Sequence, residues 1–290
     1  MSIAEFETGT RAPVCLTWEL TYACNLACAH CLSSSGKHRP DELTFEEIRA
    51  LVDEWAAAGV FYVNIGGGEP MVRPDFFEVL DYTVRSRIGV NFSTNGTMID
   101  ARAAQRLAAT DYVDLQVSLD GVDAETNDAI RGAGSYAKAR RAMDHLAAAG
   151  FEDFKISVVL TRASIAQLDR LQELAEGYSA RLRLTRLRPS GRGVDVWDKL
   201  RPTTQQNRDL HAWLLEHPGA LTGDSLFHLN AFGQSLPGLS MCGAGRIVCL
   251  VDPVGDVYAC PFLIHPDFRA GNIRTDGGFS RIWATAELFE

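Results

Sequence analysis

Apolar residues follow two spacings between residues 14 and 187. Short β-branched runs alternate with segments in which apolar residues recur every three or four positions. The first spacing predicts buried strands and the second predicts amphipathic helices. We predict strands over 14–20, 60–65, 88–93, 112–119, 154–161 and 180–187, and helices over 44–58, 75–87, 100–109, 135–149 and 164–178. Regular alternation of strand and helix is typical of parallel βαβ units, so an α/β fold is predicted.

Capping and turn residues support the predicted helix boundaries. Thr44 followed by Glu47 forms the pattern of a capping box, and Asp100 is a suitable N-cap. Pro74 precedes one helix and Gly150 follows another. Six such units form an open sheet or an incomplete barrel, and in either case a ligand binds at the carboxyl ends of the strands.

The pattern changes after Pro189-Ser190-Gly191. One helix over 203–217 is followed by a stretch with frequent Gly and Pro, and a hairpin over 248–251 and 256–259 is predicted near the end. We therefore predict an α/β core over 1–190, a connecting helical segment over 191–241 and a small β-rich module over 242–290.

Composition and charge exclude some functions. The 290 residues are 46% hydrophobic and 22% charged, which supports a packed core. The 28 basic and 37 acidic residues give a formal net charge of −9, which argues against a nucleic-acid partner. No apolar run approaches the ~18 residues of a membrane span. The first eleven residues lack the pattern of a secretory signal, so we expect a cytoplasmic protein without a membrane partner.

The seven cysteines fall near the two ends of the chain. Cys24, Cys28 and Cys31 follow the first strand with the spacing Cys-x3-Cys-x2-Cys. Three thiolates on one loop suit a cubane iron–sulfur cluster with one iron left open, because four-cysteine ferredoxin clusters leave none. A zinc loop with His30 as the fourth ligand is the alternative, although adjacent His30 and Cys31 reach one tetrahedral ion with difficulty.

The cysteine loop resembles the signature of the radical S-adenosylmethionine (SAM) superfamily. Three further motifs follow strands in the matching order: Gly66-Gly67-Gly68-Glu69-Pro70, Ser93-Thr94-Asn95-Gly96 and Ser118-Leu119-Asp120-Gly121. The resemblance implies a partial (β/α)6 barrel, a [4Fe–4S] cluster with an open coordination site, and SAM. It also implies reductive cleavage of SAM to a 5′-deoxyadenosyl radical that abstracts a hydrogen atom from the substrate. Ordinary strand-to-helix turns are the alternative explanation of these motifs.

The resemblance also implies roles for individual residues. Cys24, Cys28 and Cys31 would hold the cluster, and the turn with Gly67, Gly68 and Glu69 would accept hydrogen bonds from the SAM ammonium group. Arg131 would pair with the SAM carboxylate, for which a planar guanidinium is suited. The remaining expected SAM contacts are Tyr22, Ser93, Asn95, Ser118 and Leu160. Core packing or a surface ion pair is the alternative for Tyr22, Leu160 and Arg131.

The C-terminal cysteines resemble the opening half of a SPASM domain. Twelve residues separate Cys242 from Gly255, and four separate Gly255 from Cys260. In that family Cys242, Cys249 and Cys260 match three ligands of an auxiliary [4Fe–4S] cluster. The second cysteine group of a full SPASM domain does not follow, so we expect a truncated SPASM domain or a twitch-type domain. A zinc hairpin is the alternative, and Cys15 is expected to be a packed apolar side chain.

Longer strings throughout the chain resemble the mycofactocin maturases, among them VFYVNIGGGEP, KISVVLTR and DPVGDVYACPF. The resemblance implies oxidative decarboxylation of the C-terminal Tyr of a small precursor peptide, then a Val–Tyr crosslink. It implies a peptide-binding chaperone and an external electron donor of the flavodoxin or ferredoxin type as partners. Two alternatives are left open: another SPASM maturase, and a non-catalytic iron–sulfur or zinc protein.

Only weaker candidates for substrate contact follow from the residues themselves. Arg186 and Arg188 are expected to share a strand face with Leu182 and Leu184, where they would meet a peptide carboxylate or surface acids. Four side chains are candidates for acid or base roles, although a structural role is the simpler explanation for each: Glu19, Asp224, His228 and His265. We name no catalytic base, because hydrogen-atom abstraction requires none.

Overall fold

The computed structural model describes residues 11–222, 226–237 and 242–289. The strands are β1 (Cys15–Thr21), β2 (Tyr62–Gly67), β3 (Gly89–Thr94), β4 (Val113–Ser118), β5 (Lys155–Leu160), β6 (Arg181–Arg186), β7 (Leu221–Thr222), β8 (Val248–Val251), β9 (Asp256–Tyr258) and β10 (Arg269–Asn272). They form one sheet in the order β10-β9-β8-β1-β2-β3-β4-β5-β6-β7. The six predicted strands are present, and each pairs in parallel with the next.

Helices connect these strands. They are α1 (Phe45–Ala58), α2 (Phe76–Arg85), α3 (Ala101–Ala108), α4 (Ala124–Arg131), α5 (Ser135–Ala148), α6 (Arg162–Ile165), α7 (Leu168–Gly177), α8 (Gly193–Leu200), α9 (Thr204–Glu216) and α10 (Phe279–Thr285). The capping box at Thr44 and the N-cap at Asp100 both form. Helix α4 lies in a segment that we treated as a loop, because it is short and carries few apolar residues. Helix α8 lies in the predicted connecting helical segment, ahead of the one helix predicted there.

Alternation along the strands separates the core from a cavity. In β1, Leu16, Trp18 and Leu20 are buried, and Trp18 packs edge-on against Trp55 of α1 at 5.1 Å between ring centroids. The intervening side chains face a cavity lined by residues from β1 through β8. The sheet therefore curls into the incomplete barrel expected of this fold class, with a polar interior.

The C-terminal segment joins this sheet. The β8–β9 hairpin forms as predicted, and β8 pairs in parallel with β1, so that Leu16 lies opposite Cys249. Helix α10 packs beside α1, where Phe279 meets Trp55 at 6.0 Å between ring centroids. The cysteine-bearing segment after residue 242 is thus connected to the barrel by strand pairing and by a shared core. No helix in the described part of the chain is long and apolar enough to cross a membrane.

Candidate functional site

One cavity of about 1060 Å³ contains most of the predicted site residues. It is lined by Cys24, Cys28, Cys31, Gly67, Gly68, Glu69, Ser93, Asn95, Ser118, Arg131, Cys242 and Cys260. The residues from Cys24 to Arg131 lie at or just after the carboxyl ends of β1 to β4, where ligand sites in such sheets are found, whereas Cys242 precedes β8 and Cys260 follows the antiparallel strand β9.

The cysteine loop carries three free thiols toward this cavity. The Leu26 N–H donates to Cys24 Sγ at 3.4 Å, and Cys31 Sγ lies 3.7 Å from Ser33 Oγ. Burial raises the pKa of the Cys24 and Cys28 thiols, and nearby Arg131 counteracts this at Cys28. Thiols with nearby donors and a cation fit the ligand set of an anionic iron–sulfur cluster.

His30 lines the cavity and is held by a buried acid. Its Nε2 lies 2.6 Å from Oδ2 of Asp120, just after β4. No three Cys, His, Asp or Glu side chains within residues 11–222, 226–237 and 242–289 converge on a position for a single metal ion.

The glycine turn after β2 positions the cysteine loop. The Gly68 N–H donates to Thr21 O at 2.7 Å, and the Glu69 N–H donates to Ala23 O at 2.8 Å. A Cβ at Gly68 would lie 1.9 Å from Ala23 O, and Gly67 has a φ of +99°. Both positions therefore require glycine, because the two loops touch backbone to backbone.

Glu69 connects this turn to the segment after β3. Its carboxylate is buried and accepts from Thr94 Oγ1 at 2.9 Å and from the Asn95 N–H at 2.7 Å. Asn95 Nδ2 in turn donates to Asn25 Oδ1 at 2.9 Å. Burial raises the pKa of Glu69 to about 7, although these hydrogen bonds oppose the shift. The Glu69 side chain thus connects the glycine turn to the segment after β3, which in turn contacts the cysteine loop.

Arg131 is fixed by a buried acid. Its Nε lies 2.6 Å from Asp120 Oδ2, and both side chains are almost fully buried. Burial alone would raise the pKa of Asp120, but Arg131 and His30 outweigh it and hold this pKa well below its usual range. The pair places a preoriented guanidinium in the cavity next to Cys28.

Two residues predicted to contact SAM, Tyr22 and Leu160, are not among the residues that line the cavity. The Tyr22 hydroxyl donates to Asp252 Oδ2 at 2.8 Å, so the ring joins the cysteine loop to the β8–β9 turn. Leu160 is 1% exposed in the core, and its neighbour Val159 lines the cavity instead. The Leu160 side chain lies in the core and that of Val159 faces the cavity, because successive side chains of a strand point to opposite faces.

The three C-terminal cysteines lie in two different environments. Cys242 and Cys260 line the cavity, and the Phe262 N–H donates to Cys260 Sγ at 3.4 Å. Cys249 is fully buried in the hydrophobic core, and burial raises its pKa well above the usual value. The structure therefore does not group Cys249 with the other two, because its position in β8 turns it toward the core. Cys15, expected in the core, lines the cavity.

The cavity interior below the loops is charged. Lys155 pairs with Asp114 across β4 and β5, and Arg183 Nη1 donates to Ser157 Oγ at 3.3 Å. Leu182 and Leu184 are buried in the core, so Arg183 rather than an even-numbered residue faces inward along β6. Arg186 and Arg188 also line the cavity, because the strand ends at Arg186 and its alternation ends there.

The acid and base candidates have different surroundings. Glu19 lines the cavity and is buried; burial, with a smaller contribution from Asp252, raises its pKa to about 8. His265 lies on the surface beside Asp267. His228 lies in a 3₁₀ helix that flanks the cavity, and Asp224 lies outside the described residues.

Sequence reasoning missed Arg192. Its Nε donates to Cys28 O and its Nη1 donates to Ser35 O, both at 2.9 Å, so it clamps the cysteine loop from the segment after β6. A Cβ at Gly191 would lie 2.3 Å from Leu32 O. The signal was the Gly191-Arg192-Gly193 sequence, which we interpreted only as the end of the barrel.

Comparison with known proteins agrees with this geometry. The model of the radical SAM superfamily matches residues 18–175. The mycofactocin maturase MftC of Mycobacterium ulcerans is 61% identical over 290 residues, which cover 99% of this chain and 79% of that protein. The AdoMet-dependent heme synthase of Methanosarcina barkeri is 32% identical, over 97% of this chain and 84% of that protein. SuiB of Streptococcus suis bound to its precursor peptide SuiA superposes with a TM-score of 0.78 at 17% identity, covering 99% of this chain and 68% of that chain.

The fold, the cysteine loop and the family match define a radical SAM enzyme. A [4Fe–4S] cluster and SAM are the cofactors of that superfamily. Within it, the chain belongs to the family of mycofactocin maturases.

Proposed function

We propose that this protein modifies the C-terminal Val-Tyr of a small precursor peptide, first by oxidative decarboxylation of Tyr and then by a Val–Tyr crosslink. The observation that carries the proposal is the single cavity that contains the cysteine loop, the glycine turn and a charged interior. The 61% identity to a mycofactocin maturase supports it.

The cofactor residues divide into ligands and supports. Cys24, Cys28 and Cys31 hold the cluster, and backbone groups of the Gly67–Gly68 turn receive the SAM ammonium. Arg131 binds the SAM carboxylate while Asp120 keeps the guanidinium oriented. When bound, the cluster and SAM supply the radical that abstracts hydrogen from the peptide. Ser93, Asn95 and Ser118 line the space between the turn and the barrel interior.

Cys242 and Cys260 contribute to an auxiliary cluster on the side of the cavity next to β8. Both line the cavity that would hold the substrate, so a cluster there would face the same space. Cys249 is not assigned to that cluster, because it is fully buried in the core.

The peptide enters with its carboxylate toward β6. Arg183, Arg186 and Arg188 line that wall, and a cationic wall attracts a C-terminal carboxylate. A chaperone that presents the peptide and a flavodoxin- or ferredoxin-type electron donor are the expected partners.

Anaerobic reconstitution with iron and sulfide, followed by incubation with SAM, dithionite and a Val-Tyr peptide, tests the proposal. We expect 5′-deoxyadenosine together with a peptide that has lost CO₂ and two hydrogen atoms, detected by mass spectrometry. Cys28→Ala is expected to form neither product. Formation of 5′-deoxyadenosine without any change in the peptide would contradict the assigned substrate.

A further inference from the structure

Glu19 is a buried acid that the cofactor assignment leaves without a role. It extends from β1 into the cavity and is 6% exposed. Among the described residues, its Oε2 atom has no hydrogen-bond partner. An unpartnered buried polar atom destabilises the fold unless a ligand supplies its hydrogen bond, so it points to a ligand.

Space for a ligand lies beside this carboxyl. Glu19 pairs in register with Gly66 of β2, and a Cβ at Gly66 would meet no atom within 4 Å. The side chain on the far side of Gly66 is Ser93, which accepts a hydrogen bond from Gln116. The glycine therefore opens a gap in the wall directly next to Glu19.

The two sides of the cavity differ in polarity. On the strands β1 to β4, three buried acceptor oxygens are unpartnered among the described residues: Glu19 Oε2, Asn91 Oδ1 and Gln116 Oε1. On the β5 and β6 side, the cavity is lined by cations, among them Lys155 and Arg183. A ligand that matches this cavity has a hydrogen-bond donor at one end and an anion at the other.

We propose that the Glu19 carboxyl binds the phenolic hydroxyl of the substrate's C-terminal tyrosine and so selects tyrosine over phenylalanine. The inference rests on the proposed function, which places that residue in the cavity. A C-terminal tyrosine has a hydroxyl donor at one end and a carboxylate at the other, as the polarity requires. In the reverse orientation the substrate carboxylate would lie away from the cations Lys155 and Arg183.

Burial raises the pKa of Glu19 to about 8, which agrees with this role. A carboxyl group accepts a hydrogen bond from a phenol and, when protonated, also donates one. Sites built to bond a substrate hydroxyl reject the analogue that lacks it by as much as ~10⁴–10⁵-fold, since their polar group is then left unpaired. For a single hydrogen bond in an open cavity we expect at least about 10-fold discrimination.

The test compares two precursor peptides that differ only at the last residue, Val-Tyr and Val-Phe. Equilibrium binding to the full chain and decarboxylation by the reconstituted enzyme are both measured. The wild type should prefer the Tyr peptide by at least about 10-fold, and Glu19→Met, which keeps the shape but not the acceptor, should reduce this ratio to about 1. Glu19→Gln keeps an acceptor and should give an intermediate ratio, which preserves the test if Glu19→Met fails to fold.

Glu42→Gln is the matched control. This buried carboxylate accepts from Thr21 Oγ1 and from the Tyr22 and Arg39 N–H groups, so its loss should lower stability without changing the Tyr-to-Phe ratio. An unchanged ratio in both Glu19 variants, or an equal loss of activity on both peptides, would overturn the assignment. A wild type that modifies neither peptide would instead overturn the proposed function.

Discussion

Two backbone hydrogen bonds position the start of the cysteine loop. The Gly68 N–H reaches Thr21 O and the Glu69 N–H reaches Ala23 O, immediately before Cys24. These bonds form because Gly68 has no side chain in the path of Ala23. The position of the first thiol therefore depends on a glycine in a different loop.

Gly68→Ala is expected to displace the cysteine loop. Its Cβ would lie 1.9 Å from Ala23 O, so the backbone must move. Formation of 5′-deoxyadenosine should fall by about 100-fold, the usual cost of a misplacement near 1 Å. The control is Gly36→Ala, a substitution on the cysteine loop itself. A Cβ at Gly36 would meet no atom within 4 Å. Equal activity of the Gly68→Ala and Gly36→Ala variants would show that the close approach of Gly68 to Ala23 does not affect SAM cleavage.

Cys249 and Cys260 are expected to respond differently to substitution. Cys249→Val replaces a fully buried core thiol with an apolar group, which should change the free energy of unfolding by less than about 1.5 kcal/mol. Iron content after reconstitution should stay at the wild-type value in Cys249→Val and fall in Cys260→Ser. A fall in both variants would return Cys249 to the ligand set.

At the scale of elements, the β8–β9 turn supports the cysteine loop from outside the cavity. Asp252 in this turn accepts from the Tyr22 hydroxyl at 2.8 Å and from the Val254 and Asp256 N–H groups. Burial raises the pKa of Asp252 to about 6. The hairpin thus supports the cysteine loop through the hydrogen bond from Tyr22.

Tyr22→Phe should weaken this connection. The buried Asp252 carboxylate would lose one donor, which should lower the free energy of unfolding by about 1–3 kcal/mol in chemical denaturation. Tyr112→Phe provides the control because that side chain is 80% exposed. Equal stability of both variants would contradict a supporting role for the Tyr22 hydroxyl.

At the scale of the whole molecule, the barrel strands and the C-terminal strands are one sheet. β8 is hydrogen-bonded to β1 over four residue pairs, and the T-shaped ring contact of Trp55 with Phe279 joins α1 to α10. A shared sheet and a shared core predict that both parts unfold together.

Hydrogen exchange of the native protein measures this directly. Amides of residues 248–251 should open with a free energy within about 1 kcal/mol of the amides of β1, because they belong to one cooperative unit. Fast exchange at β8 with full protection of β1 would show that the C-terminal segment is an independent unit.

The sequence determined what depends on local order. Periodicity was enough for the six parallel strands, the caps at Thr44 and Asp100, and the loop positions of Cys24, Cys28 and Cys31, because these features depend on residues close together in the chain. Only the tertiary structure decided which face of a strand meets the cavity. That choice placed Val159 rather than Leu160 inside, buried Cys249 and exposed Cys15 to the cavity, since a shift of one residue along a strand reverses its side chains. It also decided the surroundings of Arg183 and Arg192, whose partners lie on strands and loops far apart in the sequence.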